Sequence, residues 1–243
     1  MYFSQEDREA AVSDPRTDSD LAGYVEQAMR FIRSGDIRLE LRGGNRVCLV
    51  TSDAFRAFGE EYGIERWIDF GWQKNAFIAD DMADALTAAG WTKALLSSRD
   101  GFIRCLDERG SFTLNLYAET GTGVQLVAQA EYSGPAALMM LMPEPGGERR
   151  YSYRYKDGAI RTAWISPKTG LDVRSSDGLA ACTDRGGCAD LLCSLLDSIT
   201  QEDTGDAEWQ AAAGDNCALW LARQGNLVSL GSDLLDIRPA DQE

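Results

Sequence analysis

Histidine is missing from all 243 residues of the chain, and this absence narrows the possible chemistry. Histidine is the usual general base near neutral pH and the commonest metal ligand among side chains. A serine–histidine–aspartate triad or a cysteine–histidine pair therefore cannot be built from this chain alone. Zinc, copper and non-haem iron sites that need an imidazole ligand are excluded for the same reason.

Long hydrophobic runs are also missing, because no apolar stretch approaches the roughly 20 residues that a membrane-spanning helix needs. The first twenty residues are polar and acidic, without the basic start and apolar stretch of a secretory signal. We therefore expect a cytoplasmic protein with no membrane partner. Hydrophobic residues still make up 44% of the chain, which is enough for a substantial core.

Positive charge is scarce, and the net charge is −15. Residues 1–20 carry six acids against two arginines, and residues 201–243 carry nine acids against two arginines. Two interpretations of these ends stay open: solvated segments that keep the chain soluble, or electrostatic steering toward a basic protein partner. No stripe of Lys and Arg is available to neutralise phosphates, so we expect no nucleic-acid partner. The bias toward arginine, with only four lysines, is typical of a GC-rich bacterial genome.

Metal-ligand and nucleotide motifs are absent from the sequence as well. The only cysteine cluster, Cys182, Cys188 and Cys193, lacks the paired spacing of structural zinc ligands. The acids Asp80, Asp81 and Asp84 have two interpretations, a divalent-cation site or favourable charges near a helix N-terminus. A glycine–threonine–glycine stretch at residues 121–123 is followed by a strand pattern, so it predicts a hairpin turn rather than a phosphate loop. We therefore assign no catalytic residue, no metal site and no cofactor.

Residues 18–95 show both helical and strand periodicity. Apolar residues at helical spacing, with capping residues before them, predict helices at 18–34, from Ser52 to about Tyr62, and at about 79–89. Alternating apolar and polar residues predict a hairpin with strands at 37–41 and 47–50, and a further strand at 64–70.

Residues 96–200 predict an antiparallel β-meander covered by one helix. Strand patterns follow one another at 112–116, 124–128, 136–142, 150–156, 160–166 and 171–174. We expect such a sheet to bury one face and to expose the other. An apolar helix at 187–200 can cover the buried face, and a helix and a hairpin turning at 224–226 are expected to follow.

The sequence thus predicts an α+β fold with four parts. They are an acidic N-terminal tail (1–17), a mixed helix and short-strand section (18–95), the antiparallel β-meander with helices packed on one face (96–200), and an acidic C-terminal extension (201–243).

Aromatic residues are dense between residues 67 and 77, where Trp67, Phe70, Trp72 and Phe77 occur. Trp67 and Phe70 have opposite parity, so they cannot share one face of a strand. Either some of the four are exposed as a partner-binding surface, or the sheet is covered on both sides.

Two hypotheses about function follow. The first is an acidic, non-enzymatic, protein-binding module of bacterial or phage type, such as an inhibitor, an immunity protein or a chaperone. The second is a histidine-free hydrolase or transferase that uses paired carboxylates on a sugar or phosphate substrate. The oligomeric state is left open.

Overall fold

The computed structural model describes residues 14–44, 46–68, 70–120, 122–143, 152–154, 160–232 and 235–240. The described helices are α1 (Ser19–Ser34), α2 (Asp53–Glu61), α3 (Lys74–Ala88), α4 (Cys188–Ile199) and α5 (Asp206–Ala213). The described strands are β1 (Ile37–Arg42), β2 (Arg46–Thr51), β3 (Leu95–Ser97), β4 (Phe102–Cys105), β5 (Ser111–Thr120), β6 (Gly123–Ser133), β7 (Ala136–Leu141), β8 (Ser152–Arg154), β9 (Ile160–Thr162), β10 (Gly178–Thr183), β11 (Cys217–Arg223), β12 (Asn226–Gly231) and β13 (Asp236–Pro239). This combination of helices and antiparallel sheets confirms the expected α+β fold class.

The centre of the molecule is a six-stranded sheet with strand order β12-β11-β10-β7-β4-β3, in which every pairing is antiparallel. All six residues of β10 are buried, and β11 is buried as far as Ala222. A strand buried on both faces needs a continuous apolar run, and Cys217–Ala222 supplies one.

Helices cover one face of this sheet, as the sequence predicts. Leu191, Leu195 and Ile199 of α4 and Trp209 of α5 are almost fully buried in a cluster with the helix-facing residues of the sheet. These sheet residues include Phe102, Met139, Leu141, Leu179, Ala181, Leu219 and Leu221. The predicted helix at 187–200 corresponds to α4.

The opposite face of the central sheet is also covered, so the expectation of one exposed face is wrong. The long hairpin β5–β6 joins β13 in a three-stranded sheet of order β13-β6-β5. Leu114, Leu116 and Tyr132 of this sheet form a second buried cluster with Leu138 and Trp220 of the central one. The molecule therefore has three layers: helices, the six-stranded sheet and the three-stranded sheet.

The C-terminal part of the chain belongs to these layers. Residues 201–243 supply α5, β11, β12 and β13, and β11 is an interior strand of the central sheet. The expected hairpin between β11 and β12 is present, with positive φ angles of 51° at Gln224 and 79° at Gly225.

Three buried tryptophans anchor the cores. Trp209 and Trp220 are 0% and 1% exposed, and Trp164 is 6% exposed. Within the described part of the chain, their indole nitrogens have no hydrogen-bond partner. These side chains therefore contribute through apolar burial and packing rather than through polar contacts.

The N-terminal section begins with α1, which starts and ends where the sequence predicts. The Asp18 carboxylate accepts the backbone N–H groups of Asp20 and Leu21, and Gly35 ends the helix in the left-handed conformation. Of the expected tail at 1–17, residues 1–13 lie outside the described residues. Arg16 pairs with Asp172 at 2.6 Å and so ties this segment to the body.

An aromatic cluster joins α1 to α2. Phe31 packs against Phe55 and Phe58 at ring-centroid distances of 5.5 and 5.2 Å, and Tyr24 stacks on Phe58 at 5.5 Å. Ser52 caps α2 by accepting the Phe55 N–H at 3.1 Å, as expected. The hairpin β1–β2 lies between these helices in sequence and forms a separate two-stranded sheet.

The segment before α3 differs from the prediction. The described residues of 64–70 form no strand. Instead, Trp67 folds back on α2, and Gly71–Gln73 forms a 3-10 turn that leads directly into α3. The helix therefore begins at Lys74, five residues earlier than the sequence indicates. Alternation over 64–70 is misleading because a tertiary contact of Trp67 determines the local conformation.

Asp80 of α3 joins the helical layer to the central sheet. Its carboxylate accepts the backbone N–H groups of Cys188 and Ala189, each at 2.8 Å, at the first turn of α4. It also pairs with Arg104 of β4 at 2.5 Å, and both side chains are largely buried. The carboxylate thus satisfies two N–H groups that have no partner within α4 and complements the positive end of the helix dipole.

We predict that Asp80→Ala lowers the free energy of unfolding by about 2–4 kcal/mol, because it removes a helix cap and leaves Arg104 without its carboxylate. Asp84→Ala is the matched control, since it removes the same charge from an exposed position of the same helix. It should change stability by less than about 0.5 kcal/mol. Urea unfolding of both variants measures the difference, and equal effects would contradict the assigned role of Asp80.

Candidate protein-binding surface

The structure separates the four aromatic residues that the sequence singles out. Trp67 is half-buried and packs on Phe55 of α2, with ring centroids 5.0 Å apart. Its ring also lies against the backbone of Gly59, where any added Cβ would overlap it. Trp67 is therefore a structural residue of the N-terminal aromatic cluster.

Trp72 is likewise half-buried, and it stacks on Phe102 of the central sheet at a centroid distance of 6.0 Å. The other two aromatic residues are exposed: 60% of Phe70 and 49% of Phe77 are accessible to solvent. Of the four, only these two are exposed enough to contact a partner directly.

A different apolar stripe lies on the exposed side of α3. Ile78 and Met82 are 47% and 52% exposed, and the exposed Ala85 and Ala89 continue their line at helical spacing. Successive helical residues are about 100° apart, so Phe77 lies about 100–140° around the helix from Ile78 and Met82. Phe77 and this stripe therefore occupy different flanks of α3.

The flanks of α3 face different neighbours. Asp80, on the flank nearer Phe77, contacts α4. Asn75, which lies two turns before Met82 on the other flank, donates a hydrogen bond to Asp100 in the turn between β3 and β4. The stripe of Ile78 and Met82 therefore lies on the side of the helix that points toward β3.

Strand β3 is an open edge of the central sheet. It pairs with β4, and no described strand pairs with its outer side. The opposite edge strand, β12, lies near β6 of the three-stranded sheet. Exposed apolar residues adjoin the open edge, since Trp91 is 64% and Leu95 is 49% exposed.

Apolar side chains flank this edge on both sides of the sheet. Leu95 is opposite Cys105, which belongs to the core beneath the three-stranded sheet. Ile78 and Met82 belong to α3, which covers the other face. We call Ile78, Met82, Trp91 and Leu95 together the open-edge surface. No sequence pattern identifies these four residues, because periodicity shows neither which side of an apolar helix is covered nor that β3 lies at the edge of the sheet.

The four exposed formal charges near the open edge are three positive and one negative. Asp81 and Lys74 lie on the exposed side of α3, and Lys93 and Arg99 lie on either side of β3; all four are exposed. The strong negative charge of the chain is therefore a property of the whole molecule rather than of this surface.

One of the three candidate metal ligands has a structural role. Asp80 caps α4, whereas Asp81 and Asp84 are exposed. The described part of the chain contains no group of three or more acidic or cysteine side chains placed to bind a metal ion. Among the described helices, none is both long enough and apolar enough to cross a bilayer.

The cysteines are free thiols, and four of them are buried. Burial raises the pKa of Cys182, Cys188 and Cys217 to about 12 and also raises the pKa of Cys105. Cys188 also donates from its thiol to the carbonyl of Ile103 at 3.3 Å. These four thiols are core residues. The apolar neighbours of Cys48 and Cys193 predict burial as well, but Cys48 is half-buried and Cys193 is exposed, so that prediction is wrong for both.

Comparison of the chain with protein-family models, with curated proteins and with solved structures gives no match.

We predict that a thiol reagent at neutral pH labels Cys193 first, because it is the exposed cysteine, and labels the half-buried Cys48 more slowly. A thiol with a pKa near 12 is almost entirely protonated at pH 7, and the thiolate is the reactive form. The four buried cysteines should therefore react only after denaturation. A Cys193→Ser variant should lack the fast phase, and fast labelling of buried thiols in the native state would contradict this assignment.

We also predict opposite outcomes for two of the aromatic residues. Trp67→Ala should lower the free energy of unfolding by about 2–3 kcal/mol, because it leaves a cavity between α2 and the following segment. Phe70→Ala, at an exposed position, should change stability by less than about 0.5 kcal/mol. Denaturant unfolding tests both, and a larger effect for Phe70 would show that it is a packing residue.

Proposed function

We propose that the chain is a non-enzymatic protein-binding module of bacterial or phage origin that acts in the cytoplasm. Its partner is a basic, extended polypeptide segment that adds as a strand to β3 at the open-edge surface. An inhibitor, an immunity protein or a chaperone would work in this way. The observation that carries the proposal is the outer side of β3, which no described strand pairs and which has exposed apolar side chains on both sides.

Strand addition is favoured by the backbone of β3. An edge strand presents N–H and C=O groups that a further strand can pair, and partners that use this mode gain affinity from main-chain hydrogen bonds. Side chains of the added strand alternate between the two faces. Those on one face would meet Ile78 and Met82, and those on the other would meet Leu95.

A basic partner is favoured by the net charge of −15. A charge of this size attracts oppositely charged segments over distances longer than a direct contact and raises the rate of encounter. Because three of the four exposed charges near the edge are positive, apolar contacts and backbone pairing, rather than local charge, would hold the bound segment.

The alternative hypothesis, a carboxylate-dependent hydrolase or transferase, stays a prediction. The acidic groups with the most extensive contacts have structural partners. Asp80 pairs with Arg104, Asp172 pairs with Arg16, and Asp177 accepts the Gln224 N–H at 2.7 Å while pairing with Arg174. No contact among the described residues favours a catalytic use of these groups.

The test uses a synthetic peptide of alternating lysine and valine, which is basic and strand-forming, with a lysine–serine peptide of equal charge as its control. We predict that the full chain binds the first peptide more tightly than the second. The double substitution Ile78→Gln with Met82→Gln should weaken binding about tenfold or more, because it removes two apolar contacts without changing the charge.

The matched control is Phe77→Gln, which changes a neighbouring residue of equal exposure on the other flank of α3. It should leave the affinity within about twofold, a difference of less than 0.5 kcal/mol. Isothermal titration calorimetry measures the binding of both peptides to the unsubstituted chain and to both variants. Equal binding of the two peptides, or a loss of binding with Phe77→Gln alone, would overturn the assignment of the open-edge surface.

A further inference from the structure

The hydrogen bonds at the two ends of β3 determine which of its main-chain groups point outward. The Ser98 N–H donates to the Phe102 carbonyl at 2.8 Å. The Leu106 N–H donates to the Ala94 carbonyl, also at 2.8 Å. Hydrogen-bonded pairs alternate with non-hydrogen-bonded pairs along an antiparallel ladder. Leu96, midway between Ala94 and Ser98, therefore directs its own N–H and C=O toward β4.

The two residues beside it, Leu95 and Ser97, direct their main-chain groups away from β4. Both are exposed, whereas Leu96 is half-buried. Each presents one N–H and one C=O at the outer edge, and no described backbone group bonds to these four groups. Their alternating donors and acceptors are complementary to an extended main chain, which fixes the chemistry of what pairs with this edge.

The same alternation decides which side chains of an added strand face α3. Leu95 lies opposite Cys105, which belongs to the core beneath the three-stranded sheet. Leu96 lies opposite Arg104, whose side chain pairs with Asp80 of α3. Residues directly opposite each other share a face of the sheet. A residue of the added strand opposite Leu96 therefore points to the α3 side.

We propose that the bound segment runs antiparallel to β3 and that two of its residues form main-chain hydrogen bonds with Leu95 and Ser97. The residue between them lies opposite Leu96, and its apolar side chain contacts Ile78 and Met82. This inference rests on the proposed function, because it specifies the direction and the sequence pattern of the segment that binds the same surface. The pattern excludes proline from the paired positions, since proline has no N–H to donate.

The short length of β3 favours the antiparallel direction. In an antiparallel pair, two opposite residues exchange both of their hydrogen bonds, so all four outward groups are satisfied by one short stretch of the segment. Parallel bonds are slanted and reach residues before and after the opposite one, so a longer extended stretch is needed for the same four bonds. Every pairing already present in the central sheet is antiparallel.

Local charge constrains the paired residues of the segment. Lys93 and Arg99 lie on either side of β3, and both are exposed. Basic side chains at the paired positions would approach these two cations, so the paired residues are uncharged. The basic residues of the segment then lie outside the paired core, where the net charge of −15 of the whole chain attracts them.

The experiment uses the peptide KKTVTVKK, whose lysines flank a core of alternating threonine and valine. When the valines face Ile78 and Met82, antiparallel addition directs the threonine N–H groups toward β3 and the valine N–H groups away from it. One modified peptide carries N-methyl groups on both threonines, and a matched one carries them on both valines. Isothermal titration calorimetry with the full chain should show about tenfold or more weaker binding after threonine methylation. Valine methylation should change the affinity within about twofold.

A pair of substitutions tests the same hydrogen bonds from the side of the protein. Ser97→Pro removes one outward N–H and keeps the pairing of Leu96 with β4, because an edge strand tolerates proline where the N–H faces solvent. It should weaken binding of the unmodified peptide about fivefold or more. Ser97→Ala is the matched control, since it keeps the N–H and should change the affinity within about twofold. Circular dichroism checks that both variants remain folded.

The methylated peptides separate failure of this inference from failure of the proposed function. A greater loss after valine methylation would overturn the inference, because the segment would then run parallel or turn its valines toward Leu95. Equal loss with both peptides would overturn it as well. In either case the proposed function stands if the unmodified peptide binds and Ile78→Gln with Met82→Gln weakens that binding. No binding of the unmodified peptide, or full binding of both methylated peptides, would contradict strand addition itself, and the proposed function would then fail too.

Discussion

The carboxylate of Asp80 connects three elements that are distant in sequence. It accepts two backbone N–H groups at the first turn of α4 and pairs with Arg104 of the central sheet, while Asp80 itself is a residue of α3. These contacts orient one flank of α3 toward α4 and fix the opposite flank beside β3. The position of Ile78 and Met82 at the open edge thus depends on a buried ion pair and a helix cap elsewhere on the same helix. An acid that the sequence presents as a possible cation ligand determines which side of α3 is available to a partner.

Coverage of the central sheet on both faces has a consequence for binding. Helices cover one face, and the β5–β6 hairpin with β13 covers the other, so both apolar faces of the central sheet are shielded from solvent. At one edge β12 lies near β6, whereas the outer side of β3 has no described partner strand. The geometry of the layers, rather than any single motif, therefore directs an incoming strand to β3.

Local signals in the sequence predict helix boundaries and hairpins well, but they miss the interior strand β10 and predict strands at 64–70 and 171–174 where the described residues form none. Asp18, Gly35 and Ser52 identify helix boundaries because caps depend on neighbouring backbone groups. The burial of both sheet faces has a signal in the continuous apolar run at 217–222, which a half-exposed strand does not need. The contact of Trp67 with α2 and the pairing of β13 with β6 have no local signal, since each joins residues that no short pattern relates. Among the candidate site residues, the sequence finds the exposed Phe70 and Phe77. It misses Ile78 and Met82 because α3 has apolar residues on both its buried and its exposed sides.

The distribution of tryptophan gives the molecule a built-in optical reporter. The chain has six tryptophans, all within the described residues, and five of them are buried or half-buried. Trp91 is the exception, with 64% of its surface accessible beside β3. The exposed indole of Trp91 emits at longer wavelengths and is readily quenched by acrylamide. Trp209 and Trp220 emit from surroundings that exclude water. Occupancy of the open edge is therefore readable from the red side of the intrinsic emission spectrum, without any attached dye.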